Sequence, residues 1–112
     1  MNNLAWQYQQ SGDLAKAQAL AERAHAIDTA NGAYADTLGW IYYDLGQLEK
    51  SLELLSKAVR LAPNDAEIQF HYAVALADSG DRATARQILE RLNNSNVPFP
   101  SRDRAEKLLG QL

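Results

Sequence analysis

The residues of this sequence that could support catalysis or bind a metal are few and widely separated. Its two histidines, His25 and His71, lie 46 residues apart, and neither belongs to a His-x-x-x-His pair or an acidic cluster. The chain has no cysteine, which excludes a thiol nucleophile, a disulfide framework and a cysteine-ligated zinc site. Its glycines form no phosphate-binding loop. The sequence therefore predicts a protein that is not an enzyme and that has no cofactor and no metal site.

The acidic side chains indicate a solvated helix surface rather than a catalytic pair of carboxylates. Glu49 and Glu53 are four residues apart, but Lys57 follows at the same spacing and Lys50 is adjacent, a pattern typical of ion pairs on an exposed helix face. With a net charge of -3 and scattered basic residues, no binding to nucleic acid is expected. No apolar run is long enough for insertion into a membrane.

The chemistry that the side chains do offer is that of a binding surface. Trp6 and Trp40, the two tryptophans, lie 34 residues apart, and Val74 follows at the same interval. Large aromatic side chains are enriched at the energetic centres of protein interfaces, which favours a binding role. The alternative is that both tryptophans only fill space between helices.

The interval between the tryptophans is the period of most of the chain. Residues of the same kind recur in three sets at this spacing: Gly12, Gly46 and Gly80; Tyr8, Tyr42 and Leu76; and Ala24, Ala58 and Leu92. A fixed period of this length predicts an array of helix-turn-helix units, in which each unit buries its apolar face by stacking on its neighbour.

Apolar spacing and helix-capping residues predict the units and their helices. The units are expected at 1–31, 32–65 and 66–95, with helices at 2–11, 14–27, 32–45, 47–61, 65–79 and 81–93. Asp13, Asp81 and either Asn64 or Asp65 are the expected N-caps. The first helix is expected to begin part-way through a repeat, as in a piece of a longer protein. Gly39 is predicted to face Ser51 and Ala58, which would let the two helices of the middle unit approach closely.

Residues 96–112 are expected to be a loop followed by a single helix. The stretch from Asn93 to Pro100 contains two of the three prolines, so no further unit is expected to begin in phase. Ser101 is the predicted N-cap and Phe99 the apolar residue that packs before it. An apolar stripe follows at Ala105, Leu108, Leu109 and Leu112. We expect this helix to cover the open end of the array, the alternative being that it docks on a partner.

The middle unit resembles the tetratricopeptide repeat, whose pattern it matches at Leu38, Gly39, Tyr42, Ala58 and Pro63. The resemblance implies an all-α fold, a right-handed superhelical stack of three helix-turn-helix units with a C-terminal capping helix. It also implies binding of proteins or peptides by the concave face, which the first helix of each unit lines.

Three further stretches, at residues 2–6, 36–40 and 98–100, are similar to the C-terminal repeats of bacterial exosortase- and exopolysaccharide-associated tetratricopeptide proteins. This narrower resemblance implies a longer bacterial protein in envelope or multiprotein assembly, located in the cell envelope or periplasm. Without it, a cytoplasmic location is expected.

Repeat phase selects the residues expected on the concave face. They are Trp6, Gln10, Asp36, Thr37, Trp40, Tyr43, Asp44, Phe70, His71 and Asp78. Together they would form an aromatic trough with acidic flanks, suited to an apolar or weakly basic protein segment. The carboxylate clamp of co-chaperone members of the family is absent, because Trp6, Thr37, Glu67 and His71 stand at the corresponding positions.

The predicted function is that of a non-catalytic scaffold that binds a protein or peptide on its concave face. The alternative is a structural spacer or homo-oligomerisation module, in which one end of the array packs on another copy.

Overall fold

The computed structural model describes residues 13–112, so the predictions for Trp6, Gln10 and the first helix lie outside the described residues. Six helices follow one another: α1 (Leu14–Ile27), α2 (Gly32–Asp44), α3 (Leu48–Leu61), α4 (Ala66–Ser79), α5 (Arg82–Asn94) and α6 (Arg102–Gln111). Each packs against the next, and α2 also contacts α4. The predicted all-α fold is confirmed, with the described helix ends within a residue of the predicted ones. None of these six helices is long and apolar enough to cross a membrane.

The predicted helix starts and turns are confirmed where the structure describes them. The carboxylates of Asp13, Asp65 and Asp81 each accept a hydrogen bond from the backbone N–H three residues further on, at 3.3, 3.1 and 3.2 Å. Gly46 and Gly80 adopt the left-handed region, with φ of 78° and 100°, at the turns between paired helices. A residue with a side chain would be strained in this conformation, which explains why glycine recurs at these turns.

The close approach of α2 and α3 depends on Gly39. A Cβ atom at this position would lie 2.9 Å from Cγ and Cδ2 of Leu55 and 3.2 Å from Cβ of Leu54. The prediction that a small residue is required here is therefore confirmed, but the nearest atoms belong to Leu55 and Leu54 and not to the predicted Ser51 and Ala58. Leu55 lies between those two on the same face of α3, and its side chain reaches the glycine first.

The apolar stripe of α6 packs onto the last helix pair, as expected of a capping helix. Ala105 is 5% exposed within a cluster that α4 and α5 also supply, and Phe99, Leu108, Leu109 and Leu112 pack against it. However, α6 begins 36 residues after the start of α4, and α4 begins 34 residues after the start of α2. The expectation of a broken phase is thus only partly right, because α6 begins nearly where the first helix of a further unit would.

Ser101 is the N-cap residue of α6, as predicted, but its side chain makes no capping hydrogen bond. Its hydroxyl donates instead to Glu67 on α4, at 2.6 Å. The Ser101 hydroxyl, which the sequence pattern assigned to the start of α6, is therefore hydrogen-bonded to α4.

Candidate functional site

Three rings on α2 and α4 form a stack centred on Trp40. The ring centroids of Trp40 and Tyr43 are 4.8 Å apart with planes 9° from parallel, and those of Trp40 and His71 are 4.2 Å apart at 20°. His71 is bound by Asp36, one turn before Trp40 on α2, whereas Tyr43 lies one turn after it. The two rings therefore approach the indole from opposite directions and cover both of its faces. We call Tyr43, Trp40 and His71 the aromatic stack.

Two carboxylates hold the His71 end of the aromatic stack. Nδ1 of His71 lies 2.7 Å from Oδ1 of Asp36 on α2, and Nε2 lies 3.2 Å from Oε2 of Glu67 on α4. Burial alone would lower the pKa of His71, but the hydrogen bonds to Asp36 and Glu67 outweigh it and raise that pKa to about 9. The imidazole is accordingly a cation at neutral pH, with both ring nitrogens acting as donors.

Glu67 extends this network to α6. Its carboxylate accepts hydrogen bonds from the backbone N–H of Ser101 at 3.0 Å and from the Ser101 hydroxyl at 2.6 Å. Burial would raise the pKa of the Glu67 carboxyl, but the hydrogen bonds from His71 and Ser101 lower it. The chain of contacts from Asp36 through His71 and Glu67 to Ser101 therefore joins α2, α4 and α6, the helices on this face.

The Tyr43 end is held by a carboxylate as well. The Tyr43 hydroxyl donates to Oδ2 of Asp78 on α4. Burial and this hydrogen bond raise the pKa of Tyr43 to about 12, against an opposing influence from Arg104 of α6. The acidic flank predicted from the sequence is therefore partly balanced by Arg104 and by the charged His71.

The structure brings together five of the ten residues predicted for the binding surface, namely Asp36, Trp40, Tyr43, His71 and Asp78. Thr37 is partly buried, and its hydroxyl donates to the carbonyl of Ala33 on its own helix at 2.9 Å. Asp44 is exposed at the C-terminal end of α2.

The assignment of Phe70 to the binding surface is wrong. This residue is 2% exposed and belongs to the core cluster of α4, α5 and α6. It follows Gln69 and precedes His71, and one step along a helix turns a side chain by about 100°. The Arg104 guanidinium also covers its ring, 5.4 Å from the ring centre.

Sequence reasoning placed Glu67 at a clamp position of this face without giving it a binding role, and it did not include Ser101 or Arg104. Two of them carried a usable signal, because Glu67 and Ser101 are separated by one 34-residue period. Extending the repeat phase into α6 would have placed them on adjacent helices.

A second concavity lies between α1, α2 and α3, away from the aromatic stack. Its volume is about 370 Å³, and its lining includes the ionisable side chains Glu22, His25, Tyr42, Lys50 and Glu53. Charges of both signs line this concavity, so its lining favours neither an acidic nor a basic ligand. Within residues 13–112 no group of histidine, cysteine or acidic side chains could hold a metal ion.

The fold and this surface define a helical-repeat protein, and comparison with known sequences identifies the family. A family model described as TPR repeat matches residues 39–80, and one described as Tetratricopeptide repeat matches residues 1–23. Together they cover more than half of the chain, which belongs to the tetratricopeptide-repeat family. The TPR repeat-containing protein YpiA of Bacillus subtilis is 32% identical over 60 residues, which are 54% of this chain and 14% of YpiA. The chain thus spans a small part of that relative's length.

Solved structures share the fold at low sequence identity. The type III secretion translocator chaperone SycD of Yersinia enterocolitica superimposes with a TM-score of 0.85 at 20% identity, covering 98% of this chain and 79% of SycD. PcrH has been solved from Pseudomonas aeruginosa and in complex with the chaperone binding region of PopD. The structure of the complex superimposes with a TM-score of 0.82 at 22% identity, covering 97% of this chain and 85% of the solved chain. SycD has also been solved as an alternative dimer and with a peptide of the translocator YopD. At these identities the likeness shows the fold alone.

Proposed function

We propose that the surface of α2, α4 and α6 around the aromatic stack binds a segment of another protein, and that the chain is a non-catalytic scaffold. The observation that supports this is the state of Trp40, which is partly exposed yet fixed between Tyr43 and His71. A large side chain that is already immobilised loses little conformational entropy on binding. Its accessible part is therefore a preorganised contact.

The chemistry of the surface favours an apolar or weakly basic partner segment. The carboxylates of Asp36, Glu67 and Asp78 outnumber the positive charges of His71 and Arg104. An acidic segment would meet net repulsion. The complexes of SycD with a YopD peptide and of PcrH with part of PopD support the same use of this fold, since in both a helical array holds a piece of another protein.

The second candidate is self-association. Ile27 at the end of α1 is 75% exposed and Leu61 at the end of α3 is 40% exposed, and they lie one repeat apart. Exposed apolar side chains in a row are typical of contact surfaces. Light scattering over a hundredfold range of concentration separates the two functions. A stable dimer that dissociates into monomers in the variants Ile27→Ser and Leu61→Ser would favour self-association.

A peptide selection tests the scaffold function directly. A phage-displayed library of random twelve-residue peptides is selected on the purified chain, and enriched peptides are resynthesised with a fluorophore and titrated by anisotropy. We expect at least tenfold weaker binding to Trp40→Ala and unchanged binding to Gln87→Ala, an exposed position on α5. Peptides that bind all three proteins equally, or a selection that enriches none, would overturn the proposal.

We further propose that the whole protein acts in bacterial envelope assembly, on the similarity of residues 2–6, 36–40 and 98–100 to exosortase-associated repeats. Fractionation of the source cells, followed by immunoblotting, tests this. Recovery with the envelope or periplasmic fraction is expected, and recovery in the cytoplasm would contradict it.

A further inference from the structure

The aromatic stack limits how Trp40 can contact a ligand. Aromatic side chains bind cations and stacked rings through their faces, and they contact other groups through their edges. Tyr43 covers one face of the Trp40 indole and His71 covers the other, at centroid distances of 4.8 and 4.2 Å. Both covering rings are in turn held by hydrogen bonds, to Asp78 and to Asp36. An incoming group can therefore reach only the edge of the indole.

The edge of an indole carries one polar group, the Nε1–H donor. Within residues 13–112, this N–H of Trp40 has no protein acceptor, and it is not sealed from solvent. In the free protein it is therefore hydrated, and it remains available to an acceptor that displaces the water.

The polar groups around Trp40 are already engaged. The Thr37 hydroxyl donates to Ala33, and the Tyr43 hydroxyl donates to Asp78. The carboxylate of Glu67 accepts from both His71 and Ser101, so its capacity is largely used by the protein itself. Among these neighbours, the Trp40 N–H is the donor left for a partner.

We infer that the partner segment is recognised by a hydrogen bond from the Trp40 indole N–H to an amide carbonyl oxygen of that segment, and that no ring or cation of the partner stacks on the indole. This inference rests on the proposed function and specifies its chemistry. A carbonyl is the acceptor that fits a neutral, edge-on donor, whereas a carboxylate would be repelled by Asp36, Glu67 and Asp78. Stacking ligands are excluded because both faces of the ring are occupied.

The first experiment replaces the N–H without changing the shape of the side chain. Genetic incorporation of 3-benzothienylalanine at position 40 substitutes sulfur for the indole N–H and keeps a fused ring that can stack. The probes are the peptides enriched in the selection above. We expect about three- to tenfold weaker binding, the range for one neutral hydrogen bond. The ¹H–¹⁵N spectrum of the variant should otherwise match that of the wild type, which shows that the stack persists.

A second readout observes the hydrogen bond itself. In the wild type, the indole N–H resonance of Trp40, assigned by its loss in Trp40→Phe, should shift downfield when peptide is added. Peptides in which each Asn or Gln is replaced by Leu, and peptides with single backbone esters, identify which carbonyl accepts. If the acceptor is a side-chain carbonyl, a peptide of the first series loses it and binds more weakly. If it is a backbone carbonyl, an ester of the second series weakens it and lowers the affinity.

The outcomes separate the two proposals. If the benzothienyl variant binds as tightly as the wild type but Trp40→Ala does not bind, the surface is the binding site and the hydrogen bond is wrong. Enriched peptides dominated by Trp, Tyr or Arg, whose binding breaks the contact between Trp40 and His71, would also overturn the hydrogen bond. If Trp40→Ala itself binds normally, or if no peptide is enriched, the proposed function fails and the inference fails with it.

Discussion

The imidazole of His71 lies 4.2 Å from the indole of Trp40 and 20° from parallel to it, so that a protonated ring rests on an aromatic face. This contact joins α4 to α2 on the candidate binding surface. It combines the attraction between a cation and an aromatic ring with charged hydrogen bonds from His71 to Asp36 and Glu67. The shape of the binding surface and the association of neighbouring units therefore depend on the same protonated side chain.

The first prediction concerns the pH dependence of stability. The pKa of His71 is raised from 6.5 to about 9 in the folded chain. A raised folded pKa means that the stabilisation is fully present below pH 6.5 and is lost as the pH rises through 9. At about 1.4 kcal/mol per pKa unit, this stabilisation amounts to at most about 3.5 kcal/mol. Urea unfolding from pH 6 to pH 10 should show the free energy of unfolding falling across this window.

A pair of histidine variants provides the control for that prediction. His71→Gln should remove most of the fall between pH 6.5 and 9, because no group with this raised pKa remains. His25→Gln should retain it, since burial and the charge of Lys57 lower the pKa of His25 rather than raise it. Equal pH dependence in wild type and His71→Gln would contradict a charged His71.

The second prediction compares two helical glycines. A methyl group at Gly39 would lie 2.9 Å from atoms of Leu55, which is fully buried and cannot yield freely, whereas a methyl group at Gly110 would meet nothing within 4 Å. Gly39→Ala should lower the free energy of unfolding by about 1–3 kcal/mol through overpacking. Gly110→Ala should raise it by up to about 1 kcal/mol through helix propensity. Urea unfolding of both variants tests this, and a stabilised Gly39→Ala would show that α2 and α3 can separate without cost.

The third prediction concerns a hydroxyl group that has no partner. Ser51 is completely buried, and its Oγ is without a hydrogen bond, while Ala17 and Ala85 occupy the equivalent buried positions one period away on either side. Ser51→Ala removes an unsatisfied polar group and improves helix propensity, so it should stabilise the chain by about 1 kcal/mol. Thermal unfolding should show a higher Tm than for the wild type, while Ser56→Ala, on the same helix but partly exposed, should raise Tm less, because only helix propensity changes there. A lower Tm for Ser51→Ala would mean that the hydroxyl is bonded after all.

The sequence predicted the helices well because local signals agree with the period. Aspartates at helix starts and glycines at turns act within a few residues, and the 34-residue repetition reinforces each of them. It also placed Trp40 and His71 on one face, since that requires only helix phase. The sequence could not predict which side chains of different helices contact one another.

Three residues show where this limit applies. The atoms nearest to a Cβ at Gly39 belong to Leu55 rather than Ser51, because the leucine side chain is longer. Phe70 turns into the core although its neighbour His71 does not. Ser101 has the residue type and position of a helix cap, but Glu67 on another helix binds its hydroxyl. For Gly39 and Ser101 the deciding partner is distant in sequence, where local patterns carry no information, whereas the burial of Phe70 follows from its position on the helix.

The last prediction concerns how α6 is fastened to the array. The guanidinium of Arg102 donates hydrogen bonds to the carbonyl oxygens of Leu92, Asn93 and Val97, at 3.3, 2.9 and 2.9 Å. These carbonyls lie at and just beyond the end of α5, where backbone acceptors lack partners within their helix and a positive charge is favourable. Arg102→Ala should therefore loosen α6 while leaving its apolar stripe intact, and Arg102→Lys should restore only part of the effect, because an ammonium cannot reproduce the planar fork of donors.

Hydrogen exchange measured by mass spectrometry tests this fastening helix by helix. In Arg102→Ala, amides of α6 should exchange about tenfold faster or more, which corresponds to a loss of about 1.4 kcal/mol or more of local stability, while those of α2 and α3 should be unchanged. Arg86→Ala, an exposed arginine on α5, is the matched control and should leave α6 protected. Because Ser101 at the start of α6 also binds Glu67, the exchange of α4 amides near Glu67 should rise in Arg102→Ala as well. If α6 were as well protected in Arg102→Ala as in the wild type, its apolar stripe alone would be sufficient to hold it.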